Sequence, residues 1–140
     1  MSRIYRYQFQ VLEDVVDENG HVNNVWYVQW MQDAAVRHSD LSGCTRATQE
    51  HGATWVVRSH HIEYLRPSFA GDRVEILTWV SDFRRVRSLR KYKFVRVKDG
   101  AILAKGATDW VFVAADSGRP RGIPENVRTL FELVPEVQEP

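Results

Sequence analysis

Thiols are nearly missing from this chain: Cys44 is the single cysteine, which excludes an internal disulfide and a cysteine-built zinc cage and fits a reducing compartment. Long apolar runs are missing too. No stretch could cross a bilayer as a helix, and the opening residues Met1-Ser2-Arg3-Ile4-Tyr5-Arg6-Tyr7-Gln8 lack the apolar core of a secretory signal. Charge of one sign is not in excess either. Nineteen Lys and Arg stand against 18 Asp and Glu for a net charge of +1, so bulk electrostatics supply no reason to expect nucleic acid or an anionic membrane as partner. There is no internal repeat and no low-complexity segment. These absences lead to the expectation of a cytoplasmic protein without membrane or nucleic-acid partners; no metal and no cofactor are expected either.

What is present suffices for one core. At 140 residues and 44% hydrophobic, the chain can bury a real interior as a single domain and is too short for two ordinary ones. The domain is expected over residues 1–134, with 135–140 a flexible tail. The densest chemistry lies in Asp17-Glu18-Asn19-Gly20-His21-Val22-Asn23-Asn24-Val25-Trp26-Tyr27, where a polar loop runs straight into an apolar stretch. Gly20 permits a backbone conformation closed to other residues, and Asn23 or Asn24 can cap the free N–H groups of a helix starting near Val25. Asp17 and His21 would then lie at the positive end of a helix dipole, where a negative charge or a polarised carbonyl is favoured.

Along the chain, alternation predicts a strand over 4–12, with Tyr5, Tyr7, Phe9 and Val11 on one face. Val25, Val28, Met31 or Gln32, and Ala35 mark a helix over 25–39, widened by Trp26, Tyr27, Trp30 and Ala34, and 45–51 forms a further short helical segment. Extended segments follow at 54–65, 73–81, 89–98 and 101–114, punctuated by Pro67, Gly71-Asp72 and the hairpin signal Asp99-Gly100. These read as sequential neighbours. A last short helix is expected over 124–133, with Leu130 and Phe131 available for packing. One strand, one long apolar helix and four more strands imply an α+β fold, a five-stranded antiparallel sheet around one long central helix. Exposed sheet edges then call for at least a dimer.

The residues Asp17-x-Asn19-x-His21-Val22-Asn23-Asn24-x-x-Tyr27 resemble the signature of the hotdog-fold thioesterases, most closely the acyl-acyl-carrier-protein thioesterases and the 4-hydroxybenzoyl-CoA-thioesterase-like proteins. Trp55-Val56-Val57, His61-Ile62-Glu63-Tyr64-Leu65-Arg66-Pro67, Gly71-Asp72, Trp110-Val111-Phe112-Val113 and Gly118-Arg119-Pro120 extend the likeness over 5–131. The resemblance implies a hotdog fold assembled as a homodimer or homotetramer, with active sites at the interface and an acyl-CoA or acyl-carrier-protein substrate.

Hydrolysis of a thioester needs a nucleophile or activated water and a group that stabilises the oxyanion. By resemblance Asp17 is the nucleophile or general base, Asn19 and His21 assist it, and backbone N–H groups at Asn24, Val25 and Trp26 polarise the carbonyl. The alternative for Asp17 and His21 is a loop or capping role. The acyl-carrier-protein branch adds an acidic residue and a cysteine on the following strand, and Pro67 and Ser68 stand there instead. Arg84, Arg85, Arg87 and Ser88 form the one local basic cluster; in the CoA-cleaving relatives such a turn contacts nucleotide phosphates, and its other reading is a solvated turn. Cys44 reads as a small hydrophobe. His60 and His61, adjacent in a strand, point to opposite faces and cannot chelate one metal easily. The reading is a thioesterase; the competing ones are a hotdog protein that binds an acyl ligand without turnover, or a hydratase or dehydratase on the same fold.

Overall fold

Alternating side chains along five segments produce one antiparallel sheet, and a single long helix covers its inner face. The computed structural model describes residues 3–140. In chain order the elements are β1 (Tyr5–Gln10), α1 (Val25–Ser42), α2 (Cys44–Glu50), β2 (Ala53–Tyr64), β3 (Arg73–Phe83), β4 (Arg87–Arg96), β5 (Ile102–Ala114) and α3 (Glu125–Arg128), with 3-10 turns at Glu13–Val15 and Glu136–Gln138. No helix among the described residues is long and apolar enough to cross a membrane.

The sheet order is β1-β3-β4-β5-β2. Sequential pairing therefore holds for β3 with β4 and β4 with β5 but fails for β2, which crosses over to pair with β5 from Ala53↔Ala114 to Tyr64↔Ala104. The Gly71-Asp72 turn leads into β3 beside β1 instead, with Tyr5 opposite Thr78 and Gln10 opposite Arg73. Local turn chemistry sees only neighbours in sequence, whereas this crossover is fixed by which strand faces α1 bury.

The core joins Tyr27, Trp30, Met31, Ala34 and Ala35 of α1 to Val74, Ile76, Tyr92, Phe94, Leu103 and Ala104 of the sheet. The buried stripe of α1 is thus set from Tyr27 at three- and four-residue steps and ends at His38. The expected stripe through Val25 and Val28 is displaced: Val25 is 70% exposed. Two aromatic rings and a methionine bury more apolar surface than two valines, and they set the rotation of the helix. The helix also runs three residues past the expected end, to Gly43, whose φ of 85° supplies the left-handed cap. Gly106 of β5 lets α1 approach closely, since a Cβ there would sit 2.9 Å from Met31 Sδ.

The outer face is covered locally. Leu77 and Trp79 pack with Val134, and Val134 N–H donates to Val80 O at 3.0 Å. The final helix is one turn long, α3, and Leu130 and Phe131 follow it into a satellite cluster with Phe112, Ile123 and Val127. The tail expected to be flexible makes a 3-10 turn and an ion pair, Lys91 Nζ to Glu139 Oε2 at 2.6 Å.

Candidate active site

The segment from Val15 to Asn24 doubles back on itself. An isolated bridge joins Val16 to Val22, Asp17 N–H donates to His21 O at 2.8 Å, and Gly20 N–H donates to Asp17 O at 3.0 Å. Gly20 has a φ of 79°, as this tight reversal requires. Asn23 N–H then donates to Val15 O at 3.0 Å, which lays the start of α1 alongside the residues that lead into Asp17. Asp17 is half-buried, while Asn19 and His21 are exposed. One Asp17 oxygen, Oδ1, accepts the Asn19 N–H at 2.9 Å, so the carboxylate shapes its own turn. The His21 ring packs edge-on to Phe69 at 5.3 Å. Among the described residues no side-chain hydrogen bond joins His21 to Asp17.

At the helix start the capping residue is Asn23, whose Oδ1 accepts the Val25 N–H at 3.1 Å. Asn24 is already helical, with φ −56° and ψ −27°, and its side chain caps nothing. Trp26 N–H donates to Asn23 O at 3.0 Å. Of the three expected donors Asn24, Val25 and Trp26, two are therefore engaged locally. Among the described residues the Asn24 N–H alone of the three has no partner, at the positive end of an 18-residue helix.

Beneath the loop lies a buried polar pair, Tyr27 Oη and Ser68 Oγ at 2.8 Å, and Ser68 O accepts the Val22 N–H at 3.0 Å. Ser68 thus holds the loop and the first turn of α1 in one place. Burial raises the Tyr27 pKa, so the phenol stays neutral and bonds as a hydroxyl. Arg96 steadies this floor, donating to Pro67 O at 3.2 Å and pairing with Asp72 at 3.3 Å. Around the loop Val25, Trp26, Tyr64 and Phe69 are exposed, and Tyr64 Oη donates to Asn24 O at 3.3 Å. An apolar rim around a carboxylate and a free backbone donor suits an apolar ligand with a polar reacting group.

The basic turn is elsewhere. Arg87 pairs with Val111 and Phe94 with Ala104; the rows are seven residues apart along β5, about 23 Å at ~3.3 Å per residue, so one chain does not bring the turn to the Asp17 loop. Arg84 and Arg85 are exposed. Arg87 and Arg58 share Asp109, at 3.1 and 3.2 Å. Ser88 departs from the expected cluster: it is buried on the inner face and donates its hydroxyl to Asp82 O at 2.9 Å, because alternation in β4 turns it away from Arg87.

Sequence reading missed His38 and Arg90 on the inner face and left open which of His60 and His61 faces inward. His60 Nδ1 lies 2.8 Å from Thr108 Oγ1, while His61 is exposed on the other face near Glu63. His38 and Arg90, 1% and 6% exposed, meet through Nδ1 and Nη1 at 2.9 Å. Only the polarity of His38 inside an apolar stripe marked it in the sequence. Arg90 lines a cavity of about 240 Å³ between α1, α2 and the far end of the sheet, a space that contains no residue of the Asp17 loop. Cys44 is buried on its wall. No cluster of three or more metal-ligating side chains occurs among the described residues.

Comparison with known proteins places the chain. A model described as the thioesterase-like superfamily matches residues 11–131. A chloroplastic acyl-acyl-carrier-protein hydrolase of Cuphea viscosissima is 32% identical over 97 residues, 69% of this chain and 23% of that protein. This chain thus spans under a quarter of that relative's length. Among solved structures, a 1,4-dihydroxy-2-naphthoyl-CoA thioesterase from Synechocystis superimposes with a TM-score of 0.81 at 17% identity, covering 91% of this chain and 94% of that one. An acyl-ACP thioesterase from Bacteroides thetaiotaomicron gives 0.85 at 21% identity, covering 100% and 59%. The 12:0-ACP thioesterase from Umbellularia californica gives 0.83 at 23%, covering 92% and 51%. The fold is the hotdog fold.

Proposed function

The chain belongs to the thioesterase-like superfamily, and from that premise we propose that it hydrolyses an acyl-CoA or acyl-carrier-protein thioester to free acid and thiol. The observation that carries this reading is the pairing, on one closed loop, of the Asp17 carboxylate with the unpartnered Asn24 N–H at the start of α1. The thioester carbonyl oxygen accepts from the Asn24 N–H, and the helix dipole stabilises the charge that grows on it. Asp17 either attacks the carbonyl carbon or takes a proton from the attacking water. In both routes the C–S bond breaks, the thiolate leaves and is protonated, and one water is consumed. Asn19 holds the Asp17 carboxylate through its N–H, and His21 orders water or substrate at the loop.

The site is completed by a second copy. β2 is an edge strand of 12 residues with one side unpaired in the sheet order, and such an edge favours strand addition. Two β2 strands paired antiparallel set the start of one beside the end of the other. The start lies near the Arg84-bearing turn, and the end carries Tyr64, bonded to Asn24 O. The turn of one copy then faces the Asp17 loop of the other, with Arg84 and Arg85 placed for substrate phosphate or an acidic carrier protein. Arg87 is partly committed to Asp109.

The test is free-thiol release over short, long and aromatic acyl-CoAs and an acyl-carrier-protein thioester, with Asp17→Asn beside the wild type. The amide still accepts the Asn19 N–H, so the loop is kept while the acid-base group is lost. A fall in kcat of about 10²- to 10⁴-fold is expected. Equal rates would remove Asp17 from the mechanism, and acyl-CoA binding without thiol release on any substrate would leave a binding protein in place of a hydrolase.

A further inference from the structure

The cavity behind α1 has a feature that core packing alone does not require. It holds about 240 Å³, and Ala35, Cys44, Trp55, Trp110 and Phe131 give it a largely apolar wall. Into this wall β4 places Arg90, 6% exposed. A buried arginine is ordinarily paired with a carboxylate, because an unpaired charge in a weakly polar interior costs several kcal/mol. Among the described residues Arg90 has no such partner. Its Nη1 donates to His38 Nδ1 at 2.9 Å and to Thr78 Oγ1 at 3.1 Å, both neutral acceptors, and its guanidinium lies 5.5 Å from the Phe131 ring centroid. Among the described residues Nε and Nη2 make no hydrogen bond, and no carboxylate pairs with them. Asp40, at the mouth, accepts from Thr45 Oγ1 at 2.6 Å and is exposed. Burial lowers the Arg90 pKa, in keeping with a charge that has lost water without gaining an anion.

Nε and Nη2 form one edge of the guanidinium plane, and two parallel N–H groups on that edge match the two oxygens of a carboxylate. The cavity that Arg90 lines, about 240 Å³, is smaller than a drug-sized cleft of ~300–1,000 Å³, so it takes a short chain or a single ring. We propose that this cavity is a binding site for a carboxylate carried on a short apolar stem, held by Arg90 through Nε and Nη2, with the stem against Trp55, Trp110 and Ala35. The carboxylate has two possible sources of the same chemistry, a free fatty acid or the far end of an acyl group that carries a second carboxyl. The site does not depend on Asp17 or on hydrolysis. Arg90 and Thr108 face one another across β4 and β5, and the Phe94↔Ala104 row nearest the loop is four residues further on, about 13 Å away.

Trp55 and Trp110 line the space, so their fluorescence reports occupancy directly. Octanoate, 1-octanol and octylamine are titrated into the wild type, Arg90→Met and Ala35→Leu. Arg90→Met keeps volume and removes the fork; Ala35→Leu fills the cavity from the helix side and leaves Arg90 in place. Octanoate is expected to bind the wild type about tenfold or more tightly than octanol, the yield of charge-assisted bonds, with that margin lost in Arg90→Met and octanoate binding lost in Ala35→Leu. Octanol binding as tightly as octanoate, or octanoate binding unchanged in either variant, overturns the proposal. Should Arg90→Met fail to fold by circular dichroism, Ala35→Leu and the ligand comparison decide.

Thiol release then separates the sources. Suberyl-CoA preferred over octanoyl-CoA in the wild type but not in Ala35→Leu assigns the site to the far end of the acyl group. Inhibition by octanoate without that preference assigns it to the free acid. The titration requires no turnover, so loss of the hydrolase reading leaves this result standing, and the reverse is equally true.

Discussion

His38 lies on α1 between Arg90, the Tyr5 ring stacked at 5.3 Å and the edge-on Phe131 ring at 4.9 Å. Burial and the Arg90 charge lower its pKa from 6.5 to about 3, so in the fold the imidazole is neutral and Nδ1 accepts from Arg90. The unfolded chain binds a proton near pH 6.5 that the fold refuses until about pH 3. The resulting stability is complete above pH 6.5 and is lost progressively as pH falls from 6.5 to 3, by at most about 5 kcal/mol. His38→Gln keeps an uncharged acceptor for Arg90 and cannot titrate. Urea midpoints measured from pH 4 to 7 should therefore fall less steeply for His38→Gln than for the wild type, and identical slopes would refute a neutral His38. A second residue-scale expectation concerns Ser68. Ser68→Ala leaves the Tyr27 hydroxyl buried without its partner, at a cost of about 1–3 kcal/mol in urea denaturation, while Tyr27→Phe together with Ser68→Ala recovers much of the loss. Asp17, Asn19 and His21 stood out as candidates because their types and spacing gather in one loop. His38, Arg90 and Ser68 did not, since each acquires its role from a residue far along the chain.

At the scale of elements, β2 shows how a local irregularity redirects chemistry. Its register shifts between Val57 and Ser59, a bulge that inserts Arg58 and switches which parity of residue faces α1. Trp55 and Val57 face inward before it, and His60, Ile62 and Tyr64 after it. Alternation alone places His60 and His61 on opposite faces, as found, but only the bulge decides that His60 is the inner one, beside Thr108. The contact between α1 and β5 is equally specific. Gly106→Val should cost about 1–3 kcal/mol, because the added atoms meet Met31 Sδ and Cε in a core without spare room. Thermal denaturation checks this, and Met31→Ala in the same chain should restore part of the loss by vacating that space. Strand and helix existence followed from periodicity. The extent of α1 and the shortness of α3 did not, because Gly43 ends the first only where its left-handed conformation fits, and tertiary packing of Leu130 and Phe131 takes over after Arg128.

For the whole molecule, the separation of the Asp17 loop from the basic turn makes assembly a functional matter. If the two meet across antiparallel β2 strands, a mixture of two impaired variants must regain activity. Asp17→Asn supplies an intact turn, and Arg84→Ala with Arg85→Ala supplies an intact loop. Refolded together in equal amounts at substrate below KM, they should show about a quarter of the wild-type rate, since about half of the dimers are mixed and each mixed dimer holds one complete site. Activity no higher than the mean of the two variants alone would place loop and turn in separate roles. Light scattering should give at least a dimer, and a monomer that hydrolyses thioesters would contradict a shared site.

The sequence by itself determined the α+β class, the number of strands, the long helix and the loop where carboxylate, imidazole and carboxamides gather, because periodicity, turn residues and residue chemistry are local properties. It also carried the resemblance to the hotdog thioesterases through one motif and five shorter ones. Tertiary structure decided the crossover of β2 to β5, the rotation of α1, the capping of the helix by Asn23 with Asn24 left as donor, and the distance between the basic turn and the loop. It alone brought His38 and Thr78 onto Arg90 at the edge of a cavity that Arg90 lines, since these residues lie on three elements and meet only when the helix closes on the sheet.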